Sequence, residues 1–206
     1  FTNVRKKVLI LDADNTLWGG IVGEDGVDNI NVDENYPGIV YRLFQKQIKY
    51  LKDSGMLLTM VSKNNINDIE DVFRKKNMPL KLDDFVIKKV NWNPKSQNII
   101  EILDDLNVGV ESAIFIDDSD FELSEVEIAL GIDVIKTSTI NPVDNLSIFH
   151  DLLSIKTLNI SKEDKDKSAQ YLQEAIRKSN KKEFVSIDDY LRNIGMELSM
   201  SINNTS

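Results

Sequence analysis

No stretch constrains this chain more than Val8-Leu9-Ile10-Leu11 running directly into Asp12-Ala13-Asp14-Asn15-Thr16-Leu17-Trp18-Gly19-Gly20. Four consecutive apolar residues read as a strand buried on both faces, as in the middle of a parallel sheet. The strand then stops on two carboxylates. In an open parallel α/β sheet, ligands sit just beyond the carboxyl ends of the strands, which is where Asp12 and Asp14 fall. With one residue between them on an extended chain, both point to the same side. Like charges that close must be separated by a hydrogen-bonded turn, share a proton or hold a cation, and a hard oxygen-seeking ion such as Mg²⁺ suits carboxylates at a strand end. Taken alone, a polar turn with Asp14-Asn15 as turn formers accounts for the same residues.

The rest of the chain repeats the pattern. Gly19, Gly20, Gly23 and Gly26 predict a short hairpin or flap bending over the strand end, not a helix. Val40, Leu43, Phe44, Ile48 and Leu51 follow helical spacing between Pro37 and Ser54, with Gly55 just past the end. A second buried strand, Met56 to Val61, stops on Ser62-Lys63-Asn64-Asn65. Ile66, Ile69, Val72 and Phe73 mark the next helix, with Asn65 as its N-cap. Phe85 to Ile87 predicts a third strand, and Asn91-Trp92-Asn93-Pro94-Lys95 leads into a helix bearing Ile99, Ile100, Leu103 and Leu106. Ala113 to Ile116 is a fourth strand ending in Asp117-Asp118-Ser119-Asp120, and Ile132 to Ile135 a fifth. Alternating strands and helices predict a Rossmann-like, doubly wound parallel sheet with right-handed crossovers over residues 1–140. Residues 141–206 read as a helical extension packed on that core, leading into a further domain outside this segment. Within it, Ser161 to Lys182 is charged but carries Tyr171, Leu172, Ala175 and Ile176 on one face, the pattern of a docked amphipathic helix.

Composition narrows the partners. The formal net charge of −9 argues against nonspecific binding to nucleic acid or anionic membrane, both of which need a summed positive field. The chain has no cysteine, hence no disulfide, thiolate metal site or cysteine nucleophile, and a cytoplasmic location is the expectation. His150, the only histidine, lies in a helical stretch without an evident partner and reads as surface or packing.

Two aspartates, a serine, a lysine and two further aspartates thus arrive at one edge of the sheet. Phosphoryl transfer uses such a set: a carboxylate nucleophile, a second acid for the leaving oxygen, a cation, and a hydroxyl and an ammonium for the phosphate oxygens. Asp12-Ala13-Asp14-Asn15-Thr16, Ser62, Lys95 and Asp117-Asp118 resemble, in order, the four motifs of the haloacid dehalogenase superfamily. The longer runs Leu11 to Gly26, Ser62-Lys63-Asn64, Asn91 to Ile99 and Phe115 to Asp118 resemble its FkbH-like branch, which Tyr171, Arg177 and Asp188 to Met196 also fit. The resemblance implies a Mg²⁺-dependent phosphatase. Asp12 would be the nucleophile that forms an aspartyl-phosphate, and Asp14 the general acid and then base. Ser62 and Lys95 would hold phosphate oxygens, with Lys63, Asn64, Thr16 and Trp18 as further substrate- or phosphate-binding candidates; Thr16 would also support the turn. Asp12, Asp14 (through its backbone carbonyl), Asp117 and Asp118 would form the metal site, Asp118 directly or through a neighbour.

Superfamily members with large caps insert them in the flap or between the second and third motifs. Neither Gly26 to Pro37 nor Ser62 to Lys95 is long enough, since domains rarely fall below ~50 residues. The phosphatase reading implies a phosphorylated metabolite, sugar or carrier-bound substrate, and an open site suits a macromolecular or carrier-bound one, or a site closed by another domain or subunit. Trp18, Lys63, Asn64 and Trp92 are expected on its rim. Two other functions compete. FkbH-like proteins include enzymes that load a glyceryl group onto an acyl carrier protein through a thioester, but that step requires a cysteine. A receiver-like signalling domain also gathers aspartates, a hydroxyl and a lysine around Mg²⁺, but its phosphoacceptor follows a central strand late in the chain.

Overall fold

The computed structural model describes residues 6–156. Its centre is a five-stranded, all-parallel sheet in the order β3-β2-β1-β4-β5, made of β1 (Val8–Leu11), β2 (Leu57–Ser62), β3 (Phe85–Val90), β4 (Ala113–Asp117) and β5 (Asp133–Lys136). β1 is paired on both sides, with Leu11 opposite Met60 of β2 and Ile116 of β4. This is why its four residues are all apolar and all buried.

Successive strand residues face opposite layers. Leu9 and Leu11 join Phe44, Ile48 and Leu51 of α2 (Gly38–Asp53), Ile69, Val72 and Phe73 of α3 (Ile66–Lys75), and Ile148 and Leu152 of α6 (Asn145–Lys156). Val8 and Ile10 join Ile99, Ile102, Leu103 and Leu106 of α4 (Lys95–Leu106) and Leu123 and Val126 of α5 (Asp120–Leu130). Helices therefore cover both faces, the doubly wound arrangement expected. From β1 the chain winds outward through β2 to β3, then crosses to β4 and β5 on the other side. The reversal falls between β1 and β4, and their carboxyl ends form the crevice.

Three local expectations change. The flap is not helix-free: Val22–Asp25 forms one turn, α1. Its leading N–H groups are satisfied by side chains, Ile21 N–H by Asp25 Oδ2 at 2.8 Å and Val22 N–H by Asp14 Oδ1 at 3.1 Å, which a glycine count does not reveal. β3 runs on through Lys88 and Lys89 to Val90, because an edge strand tolerates lysines that a central strand does not. Asn65 occupies the N-cap position of α3 but makes no capping bond; its Nδ2 donates to Asp68 Oδ2 at 3.1 Å. The Ser161 to Lys182 helix, Tyr171, Arg177 and Asp188 to Met196 lie outside the described residues. Among the described residues no helix is long and apolar enough to cross a membrane.

Candidate active site

The turn after β1 is built around one left-handed residue and one close approach. Asn15 adopts a left-handed backbone at φ 55°, where its Oδ1 accepts the Gly20 N–H at 2.9 Å, and its side chain also hydrogen-bonds the Asp118 carboxylate. Gly19 must be glycine, since a Cβ there would lie 2.8 Å from Cε2 of Tyr41. Beyond it, Gly19 and Asn31 exchange backbone hydrogen bonds of 3.0 and 2.7 Å, closing the flap. Buried Gln45 of α2 donates to Leu17 O at 2.7 Å and fixes the turn from below.

Asp12 lies just past β1 with its N–H bonded to Ile116 O at 3.0 Å, so the sheet ladder itself places it beside β4. Lys95 reaches it from the first turn of α4. The preceding loop is held by Asn91, whose N–H donates to Ser62 O at 3.1 Å and whose Oδ1 accepts from Asn98 Nδ2 at 2.8 Å. Lys95 Nζ donates to Asp12 Oδ1 at 2.8 Å and to Asp117 Oδ2 at 2.5 Å, and all three side chains are almost wholly buried. Burial alone would lower the lysine pKa, but the Asp12 and Asp117 carboxylates outweigh it and hold the ammonium charged. Asp117 is pushed up to about 7 by burial and the Asp12 charge, against the pull of Lys95. Its Oδ1 accepts the Ser119 N–H at 2.9 Å, and Ser119 caps α5 through Glu122 N–H.

Carboxylate oxygens of Asp12, Asp117 and Asp118 lie within 4.8 Å of one another. Three hard oxygen donors facing a single ammonium leave an excess of negative charge, and they fit a hard divalent cation such as Mg²⁺. The Asp14 side chain stands apart from this set. Its Oδ1 accepts Trp18 Nε1–H at 2.8 Å as well as Val22 N–H, and its Oδ2 accepts Asn64 Nδ2–H at 2.9 Å. Burial raises its pKa, with Asn64, Val22 and Trp18 pulling the other way and the Asp12 charge adding a further rise. Asn64 Nδ2 also donates to Ser62 Oγ at 3.1 Å, so the Ser62 hydroxyl stands beside Asp14 with its own proton left to donate.

The structure therefore brings Asp12, Asp14, Ser62, Lys95, Asp117 and Asp118 to one sheet edge, and it reassigns others. Trp18 is not a rim residue: it is fully buried, its ring edge-on to Phe73 at 5.9 Å, because the turn folds the indole inward toward Asp14. Thr16 is fully buried with its hydroxyl 3.3 Å from that of Thr137, bracing the turn against the end of β5. Asn64 is buried between Ser62 and Asp14 rather than on the rim, and Lys63 turns to Glu122 of α5 at 2.6 Å. Trp92 remains exposed. His150 is exposed too. Glu122 was missed, although Ser119-x-x-Glu122 matches a helix-capping pattern.

No protein-family model matches the chain, and no curated protein matches it. Among solved structures it is similar to the N-terminal part of a Bacteroides fragilis protein containing a phosphatase domain complexed with Mg, at 38% identity and a TM-score of 0.67, over 75% of this chain and 40% of that one. It also resembles a predicted HAD-like family hydrolase from Porphyromonas gingivalis (14% identity, TM-score 0.52, 73% and 98% covered). A further likeness is to an uncharacterised Listeria monocytogenes protein (16%, 0.54, 74% and 99%); at such identities these two bear on the fold alone. The fold is the Rossmann-like one of the haloacid dehalogenases, and this chain spans well under half the length of the Bacteroides fragilis protein it resembles.

Proposed function

We propose that the chain is a Mg²⁺-dependent phosphohydrolase of the FkbH-like branch, acting through an aspartyl-phosphate on a phosphorylated metabolite, sugar or carrier-bound ester. The observation that carries this reading is the Asp12–Lys95–Asp117 ion-paired group with Asp118 beside it and Asp14 held separately by neutral donors. It supplies a nucleophile, a charge-neutralising set and an acid at one sheet edge. The Bacteroides fragilis structure, solved with Mg, adds support.

In this reading an Asp12 oxygen attacks phosphorus while the P–O bond to the leaving group breaks, and the leaving oxygen takes a proton from Asp14. Asp14, now a carboxylate, then takes a proton from the water that attacks the aspartyl-phosphate, which releases phosphate and restores Asp12. Ser62 donates its hydroxyl hydrogen and Lys95 its ammonium hydrogens to the phosphate oxygens. Asp12, Asp117, Asp118 and the Asp14 backbone carbonyl would hold Mg²⁺, which when bound offsets the charge shared by the carboxylates and the phosphate.

The test is phosphate release from p-nitrophenyl phosphate and an alkyl phosphate with and without Mg²⁺. Asp12→Asn keeps the size of the side chain and should lower kcat by at least ~10³-fold with an unchanged circular dichroism spectrum. Acid quenching during turnover should trap phosphoprotein in the wild type only. A variant that keeps about a tenth of the activity would remove Asp12 from the nucleophile role.

A further inference from the structure

We infer that Trp18 is a positioning residue for Asp14, fixing which carboxylate oxygen delivers the proton to the leaving group. This deepens the phosphohydrolase reading above and rests on it. Asp14 Oδ1 accepts from two N–H groups, the Trp18 indole at 2.8 Å and the Val22 backbone at 3.1 Å. A carboxylate oxygen offers about two in-plane acceptor sites, so Oδ1 is filled. Oδ2 accepts from Asn64 at 2.9 Å, the same amide nitrogen that donates to Ser62 Oγ at 3.1 Å. Oδ2 therefore lies on the Ser62 side, where the phosphate oxygens would sit, and keeps one acceptor site. The proton of the acid form belongs there.

Trp18 suits this task because it is packed on every side. It is fully buried, joined through its ring edge to Phe73 of α3, and its backbone forms a bridge to Asp14 itself. An indole is also a donor only, so it cannot turn round and give the Asp14 proton a second resting place on Oδ1. In the step at issue the P–O bond breaks with its electron pair passing to the leaving oxygen, the Asp12–P bond forms, and the Oδ2 proton moves to that oxygen. Without the indole N–H, Oδ1 keeps only the Val22 donor and regains one acceptor site, so the carboxyl turns more readily and the proton spends time on the side facing away from the ester.

The readout follows from leaving-group chemistry. An alkyl alkoxide needs that proton, whereas p-nitrophenolate leaves without one. Trp18→Phe removes the N–H and keeps a ring against Phe73. It should lower the rate of aspartyl-phosphate formation from glycerol phosphate, read in a single turnover, at least ~10-fold, part of the ~10²–10⁴-fold that general acid catalysis contributes, while the same rate from p-nitrophenyl phosphate changes less than ~3-fold. KM should hold for both, since Trp18 touches neither. Where Trp18→Phe fails to fold, the same comparison is made with benzothienylalanine, an indole isostere lacking the N–H, incorporated in a Trp92→Phe background. The contact itself is read from the Trp18 indole N–H by NMR: Asp14→Ala should move it upfield and speed its exchange. Equal loss on both esters, or an indole resonance indifferent to Asp14→Ala, overturns the assignment and leaves the phosphohydrolase reading standing. Wild-type protein that releases phosphate from neither ester overturns both.

Discussion

Lys95 decides how the site tolerates its own charge. It is the cation placed between Asp12 and Asp117, and burial leaves neither carboxylate much water to lean on. Removing one partner of a buried ion pair exposes the full cost of the other, about 3–5 kcal/mol. Lys95→Met should therefore melt well below the wild type in EDTA. Because a divalent cation can replace the lost charge, Mg²⁺ should raise its melting temperature by more than it raises that of the wild type. Equal melting of the two proteins in EDTA would show that the ion pairs contribute nothing to stability. At this scale the sequence shows residues whose place follows from the strand before them: Asp12, Ser62 and Asp117 stop β1, β2 and β4, and Lys95 opens α4. It does not show where a side chain turns. Trp18 and Trp92 both adjoin the crevice in sequence, yet one is fully buried and the other 69% exposed. What separates them is a partner distant in chain, Phe73 for Trp18, which no local pattern encodes.

Elements here are tied together by polar contacts at their ends as well as by the apolar layers. Asp84 closes the short 3-10 turn before β3, accepting from Lys81 N–H at 2.8 Å and from Lys52, at the end of α2, at 2.5 Å. Burial would raise the Asp84 pKa, but the Lys52 hydrogen bond, Lys81 N–H and the Lys52 and Lys49 charges hold it below the usual carboxylate range. A depressed folded pKa stabilises the protein above the unfolded value and loses that contribution as pH falls through the folded one. Asp84→Asn should cost about 1–2 kcal/mol at pH 7, between the worth of an exposed pair and that of a buried charged hydrogen bond. Denaturant melts should show the gap closing below pH ~4; a gap that stays constant down to pH ~2 would assign the cost to packing instead. The central strands were legible because a two-sided environment demands continuous apolar runs. The end of β3 is not legible because edge lysines look like a strand's end, and neither is α1, because its first hydrogen bonds come from Asp14 and Asp25 side chains rather than from helical periodicity.

For the molecule as a whole, the winding of the sheet leaves the crevice uncovered by any inserted domain among the described residues. Between β1 and α2 the chain makes only the flap with its single helical turn, and between β2 and α4 it makes α3 and β3. The flap is itself tied down: Lys76 at the end of α3 donates to Asp28 O at 2.9 Å, and Trp18 packs on Phe73. A flap anchored at both places is poorly suited to closing over a small substrate. Without a surrounding wall among the described residues, these residues offer little binding energy from remote parts of a substrate to position the reacting phosphate. On the proposed reading, the described residues should accordingly hydrolyse small phosphate esters with high KM and weak discrimination. In the proposed reading a second domain, subunit or carrier protein would supply such a wall; Trp92 after β3 and Phe121 at the start of α5 are exposed at the same sheet edge. Adding such a partner should lower KM for one ester far more than for others, and Trp92→Ala should blunt that effect while changing kcat on p-nitrophenyl phosphate little, because Trp92 is 69% exposed. A low KM for one small phosphorylated sugar, with tenfold or greater preference over glycerol phosphate in the isolated chain, would mean that the crevice is closed by the chain's own residues, since about 1.4 kcal/mol of selective binding for each factor of ten needs contacts that an open edge does not offer.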